Sequence, residues 1–241
     1  MERIKIVSWN IWGGQYLPEI LEFLSEFKPE IICLQEVVQD LDGRNNTAET
    51  IARHLGYKSS YFTPTYEIDA RKYYPKLEPR VVSMGNAIIS RNAIQDFKVH
   101  PLSEEKRRFL LEALIPANGQ MLHVFSTHLL HTHQNPSEIQ ELQAKRISEI
   151  IPKQHAILGA DLNAIPESAT VKTLKQAMVN TDTAFAPTWS VYPEGCPVCK
   201  PQTIDTRLDY LFVTKDLKHH SFKVHDSKGS DHLPISVVLE L

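Results

Sequence analysis

Ile4-Lys5-Ile6-Val7-Ser8-Trp9-Asn10, answered by Ile31-Ile32-Cys33-Leu34-Gln35-Glu36, frames the reading of this chain. Both are short apolar runs of strand type, and each runs into a polar residue: Asn10 in the first, Glu36 in the second. Between them, residues 16–27 place apolar groups at 17, 20, 21, 24 and 27, the spacing of one helical face, and Pro29 punctuates before the second run. This strand–helix–strand unit predicts a layered α/β fold. It also sets two polar side chains at strand ends, where open α/β sheets hold their ligands.

Working outward, residues 47–55 read as a helix capped by Asn46 or Thr47, with Glu49 in its first turn. Residues 56–82 are rich in Tyr, Pro and charge and lack a clear period. They are expected to form a long surface excursion with one short strand near 59–62. Within it, Arg71, Lys72, Tyr73, Tyr74, Lys76 and Arg80 would form either a substrate-facing lip or an ordinary solvated loop. Strands are predicted over 86–90, 108–115 and 121–127, the last two joined as a hairpin through the turn signal at 116–119. An amphipathic helix over 137–151 has Ser137 as its cap and Pro152 just past its end. A strand over 155–160, a helix over 167–178, a loop over 180–206 and strands over 207–214, 221–225 and 234–240 complete the chain. No repeat, low-complexity tract or linker interrupts it, so residues 1–241 are expected to form one domain.

Of the 241 residues, 42% are hydrophobic and 23% charged, the balance of a soluble globular protein with enough apolar material for a full core. No run approaches the roughly 18 apolar residues of a membrane span, and the start lacks the apolar region of a secretory leader. Three cysteines, with Cys33 apart from Cys196 and Cys199, give no disulfide framework and suit a reducing, cytoplasmic setting. A net charge of −3 argues against a surface built to coat nucleic acid, though not against a local basic cleft.

Three segments concentrate polar chemistry: Leu34-Gln35-Glu36-Val37, Gly159-Ala160-Asp161-Leu162-Asn163 and Gly229-Ser230-Asp231-His232-Leu233-Pro234. A carboxylate such as Glu36, at the end of a buried strand, needs either a cation or an arginine partner. Asn10 either starts a turn or joins a site. His128, at the end of 121–127, is a structural group or a site residue. Asp161 and Asn163 straddle Leu162, so on an extended backbone both face one side. There they could orient a water and hold a phosphoryl oxygen; alternatively they form an Asx turn capping the helix after Pro166. Asp231-His232 follows Gly229, which suggests a turn, and His232 is the best base candidate because imidazole titrates near neutrality. In Arg207-Leu208-Asp209-Tyr210, Asp209 faces away from its apolar neighbours and could pair with His128. With His128, His131 and His133 form a trio spaced by three and two that could suggest a transition-metal site, but with no nearby Cys or Glu to supply the remaining ligands a loop with spare histidines is expected. Cys196-Pro197-Val198-Cys199 is half of a zinc knuckle, and without a second cysteine pair no structural zinc is expected. Taken together, the strand-end groups supply what metal-assisted attack on phosphorus requires: hard oxygen ligands, a base and hydrogen-bond donors.

In order and flanks, these segments resemble the endonuclease/exonuclease/phosphatase superfamily. Its members include pancreatic-type deoxyribonuclease, exonuclease III-like AP endonucleases, neutral sphingomyelinases and inositol polyphosphate 5-phosphatases. The matching stretches are Ser8-Trp9-Asn10, Leu34-Gln35-Glu36-Val37, Gly85-Asn86-Ala87-Ile88-Ile89-Ser90, Ser126-Thr127-His128-Leu129, Gly159-Ala160-Asp161-Leu162-Asn163, Arg207-Leu208-Asp209-Tyr210 and Ser230-Asp231-His232-Leu233-Pro234. The resemblance implies an α/β (α+β) fold, a four-layer αββα sandwich of two packed mixed β-sheets flanked by helices. It also implies a Mg²⁺ or Mn²⁺ cofactor bound by Glu36 with Asn10 beside it. Asp161 would orient the attacking water, and Asn163 and His128 would contact the scissile phosphate. Asp209 would support His128 or shape the adjoining loop. Asp231 and His232 would serve as base and orienter, or as a second metal-binding locus. The implied activity is phosphodiester hydrolysis, on nucleic acid or a lipid headgroup. A small-molecule phosphomonoesterase and a non-catalytic binding module that retains the fold are the alternatives. Asn10-Ile11-Trp12-Gly13 is nearer the sphingomyelinase-like branch than the Asn-Gly-Leu-Arg usual in AP endonucleases. Gly-Ala-Asp-Leu-Asn departs from the nuclease Gly-Asp-Phe-Asn, and Ser83 stands where some nucleases carry Tyr.

Overall fold

Along the first strand Ile4, Ile6 and Ser8 point one way and Val7 and Trp9 the other, and this alternation builds the layers. The computed structural model describes residues 3–103, 107–196 and 198–241. In chain order it runs β1 (Arg3–Asn10), α1 (Leu17–Phe27), β2 (Ile31–Asp40), α2 (Thr47–Leu55), β3 (Ser59–Asp69), α3 (Ala70–Tyr73) and β4 (Val81–Ser90). There follow β5 (Asp96–Ser103), β6 (Arg108–Ala117), β7 (Gln120–His128), α4 (Glu138–Ile150), β8 (Ala156–Asp161) and α5 (Ala169–Ala177). The chain closes with β9 (Val179–Asn180), β10 (Asp209–Val213), β11 (Lys218–Val224) and β12 (Ile235–Glu240).

Among the described residues the strands form two six-stranded sheets, ordered β11-β12-β1-β2-β4-β3 and β5-β6-β7-β8-β10-β9. Each has one parallel pair at its middle, β1 with β2 and β7 with β8, flanked by antiparallel neighbours. Ile6, Ile31 and Cys33 of one sheet pack against Leu111, Val124, Ile157 and Leu211 of the other. Val7, Trp9, Ile32 and Leu34 on the outer face of the first sheet meet Ile20 and Leu24 of α1 and Ile51 of α2. Phe125, Leu158 and Phe212 on the outer face of the second meet Ile147 of α4 and Leu174 of α5. The result is the expected αββα sandwich. No helix among the described residues is long and apolar enough to cross a membrane.

The helix ends carry the chemistry their sequences promise. Asn46 accepts from the amides of Ala48 and Glu49 at the start of α2, and Ser137 accepts from Gln140 at the start of α4. Two stretches differ from the sequence reading. The supposed excursion over 56–82 contains β3, an eleven-residue edge strand rather than a short one, paired along β4 with a register shift beside Pro64. An edge strand tolerates a proline and leaves one side solvated, which blurs the pattern that would reveal it. The segment 96–103, given no assignment in the sequence reading, is β5. It is another edge strand, whose Phe97 and Val99 are exposed, so its pattern carries no core-facing period.

Towards one end the inter-sheet contact turns polar. Gln35 Nε2 donates to Ser126 Oγ across the sandwich at 3.2 Å, and Ser126 Oγ donates to the Leu34 carbonyl. The sheets approach tightly at Gly159, where an added Cβ would lie 2.7 Å from Cys33 Cβ and 2.9 Å from Ser8 Oγ. Close-packed interiors accommodate such an insertion only by shifting backbone. Gly159→Ala is therefore expected to cost about 2–3 kcal/mol, read as a lower urea midpoint at unchanged slope. A loss below about 0.5 kcal/mol would show that the sheets have slack at this point.

Candidate active site

The inner-face alternation that fills the core with Ile6, Val124, Ile157 and Leu211 continues, at the strand ends, into Asn10, His128, Asp161 and Asp209. Register aligns three of these in a row across β7, β8 and β10: His128 is opposite Asp161, and Asp161 is opposite Asp209. From the facing sheet, Asn10 Nδ2 donates to Asp161 Oδ2 at 2.9 Å and to Glu36 Oε1 at 3.2 Å. Glu36 would by parity face the helices with Ile32 and Leu34. A bulge between Leu34 and Val37, with Glu36 at φ 53°, turns it inward instead.

Asn163 also stands in the left-handed region, at φ 49°. The extended backbone assumed for Asp161-Leu162-Asn163 is replaced by a turn in which Asp161 Oδ1 accepts from the Asn163 amide at 2.9 Å. This turn caps no helix; α5 is capped by Ser168. It swings the Asn163 carboxamide onto His128, to whose Nε2 the Asn163 Nδ2 donates at 2.7 Å. His131 Nδ1 donates to Asn163 Oδ1 from the other side, also at 2.7 Å. Burial drives the His128 pKa down to about 3 in spite of the Asp161 charge, so the ring is neutral. With Nε2 accepting, its proton sits on Nδ1, which is buried without a partner.

The loops after α5 and β11 close the site. Ser230 Oγ donates to the Asn10 carbonyl at 2.7 Å, and Trp9 Nε1 donates to the His232 carbonyl at 2.8 Å, anchoring the turn that carries Asp231 and His232. Asp209 does not support His128. His232 Nδ1 donates to Asp209 Oδ2 at 2.8 Å, and Thr188 Oγ1 donates to the same oxygen at 2.6 Å. Nor does Asp231 orient His232; it accepts from Trp189 Nε1 at 3.2 Å. Both differences arise because β10 delivers Asp209 to the far side of Asp161 from β7. Thr188 and Trp189 lie in the stretch read as loop, where no period marks them. Of the expected lip, Lys72, Tyr73 and Tyr74 line the cleft, whereas Arg80 pairs with Asp40 and Lys76 sits over the Tyr16 ring.

The cleft encloses about 540 Å³. Glu36, His128, Asp161, Asn163, Asp231 and His232 line its polar end, and Trp12, Tyr66, Ile68, Tyr73 and Met84 line its apolar wall. Carboxylates crowd the polar end. Burial raises the Glu36 pKa, with the Asp161 charge adding to it, and burial lifts Asp231 to about 7, with the Glu36 charge adding to it. Burial pushes His232 down, but Asp209, Asp231 and Asp161 together hold it well above the ordinary imidazole range. One Asp209 oxygen is buried without a partner. An excess of buried carboxylate over cation is what a hard divalent ion corrects, so the donor set fits such an ion. Asp161, Asp209 and His232 bring ligand atoms within 4.8 Å of one another and could hold a metal. Glu36 and Asp231 line the same end of the cleft and offer further carboxylate oxygens to such an ion.

The fold is shared with known structures. The chain aligns over its full length with an endonuclease/exonuclease/phosphatase structure from Beutenbergia cavernae DSM 12333, covering 72% of that chain at 21% identity and TM-score 0.80. A mannosyl-6-phosphatase of Bacteroides thetaiotaomicron VPI-5482 matches over 99% of this chain and 100% of its own, at 16% identity and TM-score 0.71. D. rerio TDP2, complexed with single strand DNA product, matches over 100% of both chains at 15% identity and TM-score 0.72. No curated protein matches the sequence significantly. The model of the Endonuclease/Exonuclease/phosphatase family does match it, over residues 7–232, from within β1 to His232. The chain belongs to the endonuclease/exonuclease/phosphatase family.

Proposed function

We propose that this protein is a Mg²⁺- or Mn²⁺-dependent phosphodiesterase that cleaves a P–O bond by attack of water. The observation that carries this reading is the convergence of Asn10, Glu36, His128, Asp161, Asn163, Asp209, Asp231 and His232 at one end of a single cleft, with carboxylates outnumbering the cations around them. Glu36, with Asn10 and Asp231 beside it, would hold the cation, which when bound supplies positive charge to the phosphoryl oxygens as negative charge develops there. Asp161 positions the water through Oδ2 and takes its proton as the new O–P bond forms. The displaced oxygen leaves with the P–O electron pair and is protonated from solvent. Asp209 fixes the His232 ring, leaving Nε2 to face Asp161 across 3.8 Å. Held protonated by its three carboxylates, His232 presents Nε2–H to the phosphoryl group as a donor rather than resting as a free base. The His128 Nδ1–H, without a hydrogen-bond partner, is a further donor at the same end, and Asn163 Nδ2 holds the ring in that tautomer.

The apolar wall of Trp12, Tyr66, Ile68, Tyr73 and Met84 favours a substrate with a planar or apolar group next to the phosphate, and Lys72 and Arg108 on the same cleft favour extra negative charge. A nucleic-acid or lipid-headgroup diester has both properties. The mannosyl-6-phosphatase relative supports a second reading, a small phosphomonoester substrate. Three unpaired cysteines support a cytoplasmic setting.

Asp161→Asn and His232→Gln are each expected to lower kcat/KM on bis-p-nitrophenyl phosphate by about 10²–10⁴-fold, and excess EDTA to abolish turnover until Mg²⁺ or Mn²⁺ is restored. Full activity in either variant, or in EDTA, would refute the assignment. A panel of single-stranded DNA, RNA, sphingomyelin and a sugar phosphate separates the diester reading from the monoester one.

The cation must displace the proton that burial keeps on Asp231 below neutral pH, and burial raises Glu36 in the same direction. Protonation rises as pH falls through about 7, so the competition sharpens on the acid side. Calorimetry should show the Mg²⁺ affinity dropping by up to about tenfold per pH unit below neutrality, with proton release on binding. An affinity constant from about pH 6 to pH 8 would contradict this ligand set.

A further inference from the structure

We propose that the protein carries a second metal site of different chemistry, a Zn²⁺ held by His131 Nε2, His133 Nδ1, Cys196 Sγ and Cys199 Sγ. The four ligand atoms, one from each residue, lie within 4.8 Å of one another, though the two histidines and two cysteines come from loops more than sixty residues apart. The histidines lack cysteine partners along the chain but not in space. Tetrahedral zinc with bonds of about 2.0–2.3 Å sets its ligands about 3.3–3.8 Å apart. His133 Nδ1 stands 3.6 Å from Cys196 Sγ and 3.4 Å from Cys199 Sγ, inside that window. His131 Nε2 to His133 Nδ1, at 2.9 Å, needs to open by a few tenths of an ångström.

Two further features point to a metal rather than to a chance cluster. The Cys199 amide donates to Cys196 Sγ at 3.2 Å and the Lys200 amide to the Cys196 carbonyl at 3.0 Å, a turn that aims a backbone N–H at the sulfur. Independently, His131 commits its other nitrogen, Nδ1, to Asn163 Oδ1 at 2.7 Å. A metal-bound histidine donates its remaining N–H to such an oxygen, and the bond fixes both tautomer and ring orientation. Two thiolates and two imidazoles form a soft, closed set that selects zinc over the hard ion suited to Glu36 and Asp231. The zinc would clasp the loop after β7 to the loop before β10 at the edge of the cleft. Through His131 it would set which way the Asn163 carboxamide faces.

The test is metal content, which does not depend on the activity proposed above. Protein expressed with zinc and dialysed against metal-free buffer should hold about one zinc per chain, released together with two reactive thiols by a mercurial reagent. Cobalt exchanged into the wild-type protein should show the intense visible bands and thiolate charge transfer of tetrahedral sulfur ligation. C196S/C199S should lose the zinc and lower Tm by roughly 5 °C or more, while Mg²⁺ titration of the same variant still reports the carboxylate site. Absence of zinc together with a featureless cobalt spectrum overturns the proposal, and so does zinc retained by C196S/C199S, which would place it on Asp161, Asp209 and His232. Because the cobalt spectrum is read on the unmutated protein, a variant that fails to fold leaves the proposal open to refutation.

Discussion

The pairing of β8 with strands of both directions is the constraint on which the site depends. Parallel register with β7 sets Asp161 beside His128, and antiparallel register with β10 sets Asp209 on its other flank. A slip of one residue in either pairing would turn the partner side chain to the opposite face of the sheet. The tight approach at Gly159, two residues before Asp161, brings the second sheet close enough for the Asn10 carboxamide to bridge to Asp161 and Glu36. The first sheet thus contributes the end of β1 and the bulge within β2, the second the ends of β7 and β8, and the polar end of the cleft is a continuation of the sandwich interior in hydrophilic form.

Strand-end carboxylates in so small a volume are costly, and the fold distributes the cost among neighbours. Thr188 and His232 satisfy one oxygen of Asp209, while Trp189 and Ser230 stand against Asp231. Arg207, buried between the Tyr210 and Phe222 rings, binds Asp182 and the Asp209 carbonyl and so steadies the start of β10. Removing one partner from such a network leaves a buried charge uncompensated, which is more damaging than the modest value of any single bond suggests.

Much of this was legible in the sequence because the informative positions follow simple periods. The strand–helix–strand start, the Asn46 and Ser137 caps and the hairpin between β6 and β7 are local features, and they appear where the residue pattern puts them. Asn10, His128, Asp161 and Asp209 obey the same alternation as the core. Glu36 does not: its inward position depends on a bulge, a two-against-one mismatch with β4 that no single-strand pattern encodes. The partnership of Asp209 with His232 rather than His128 was hidden for a related reason, since it depends on which strand lies beside which. The edge strands β3 and β5 were obscured by solvent on one side, and Thr188 and Trp189 by their irregular backbone. The approach of Cys196 and Cys199 to His131 and His133 is wholly a matter of tertiary placement.

β12 is not an edge but the strand between β11 and β1. The first sheet is therefore complete only with a segment near residue 240 beside one near residue 3, and that segment follows directly on the turn bearing His232. A chain shortened before Ile235 would lose more than its final strand. It would strand β11 away from the rest of the sheet, bare the hydrogen-bonding edge of β1, and release the loop that completes the cleft, so folding and competence at the site stand or fall as a single event.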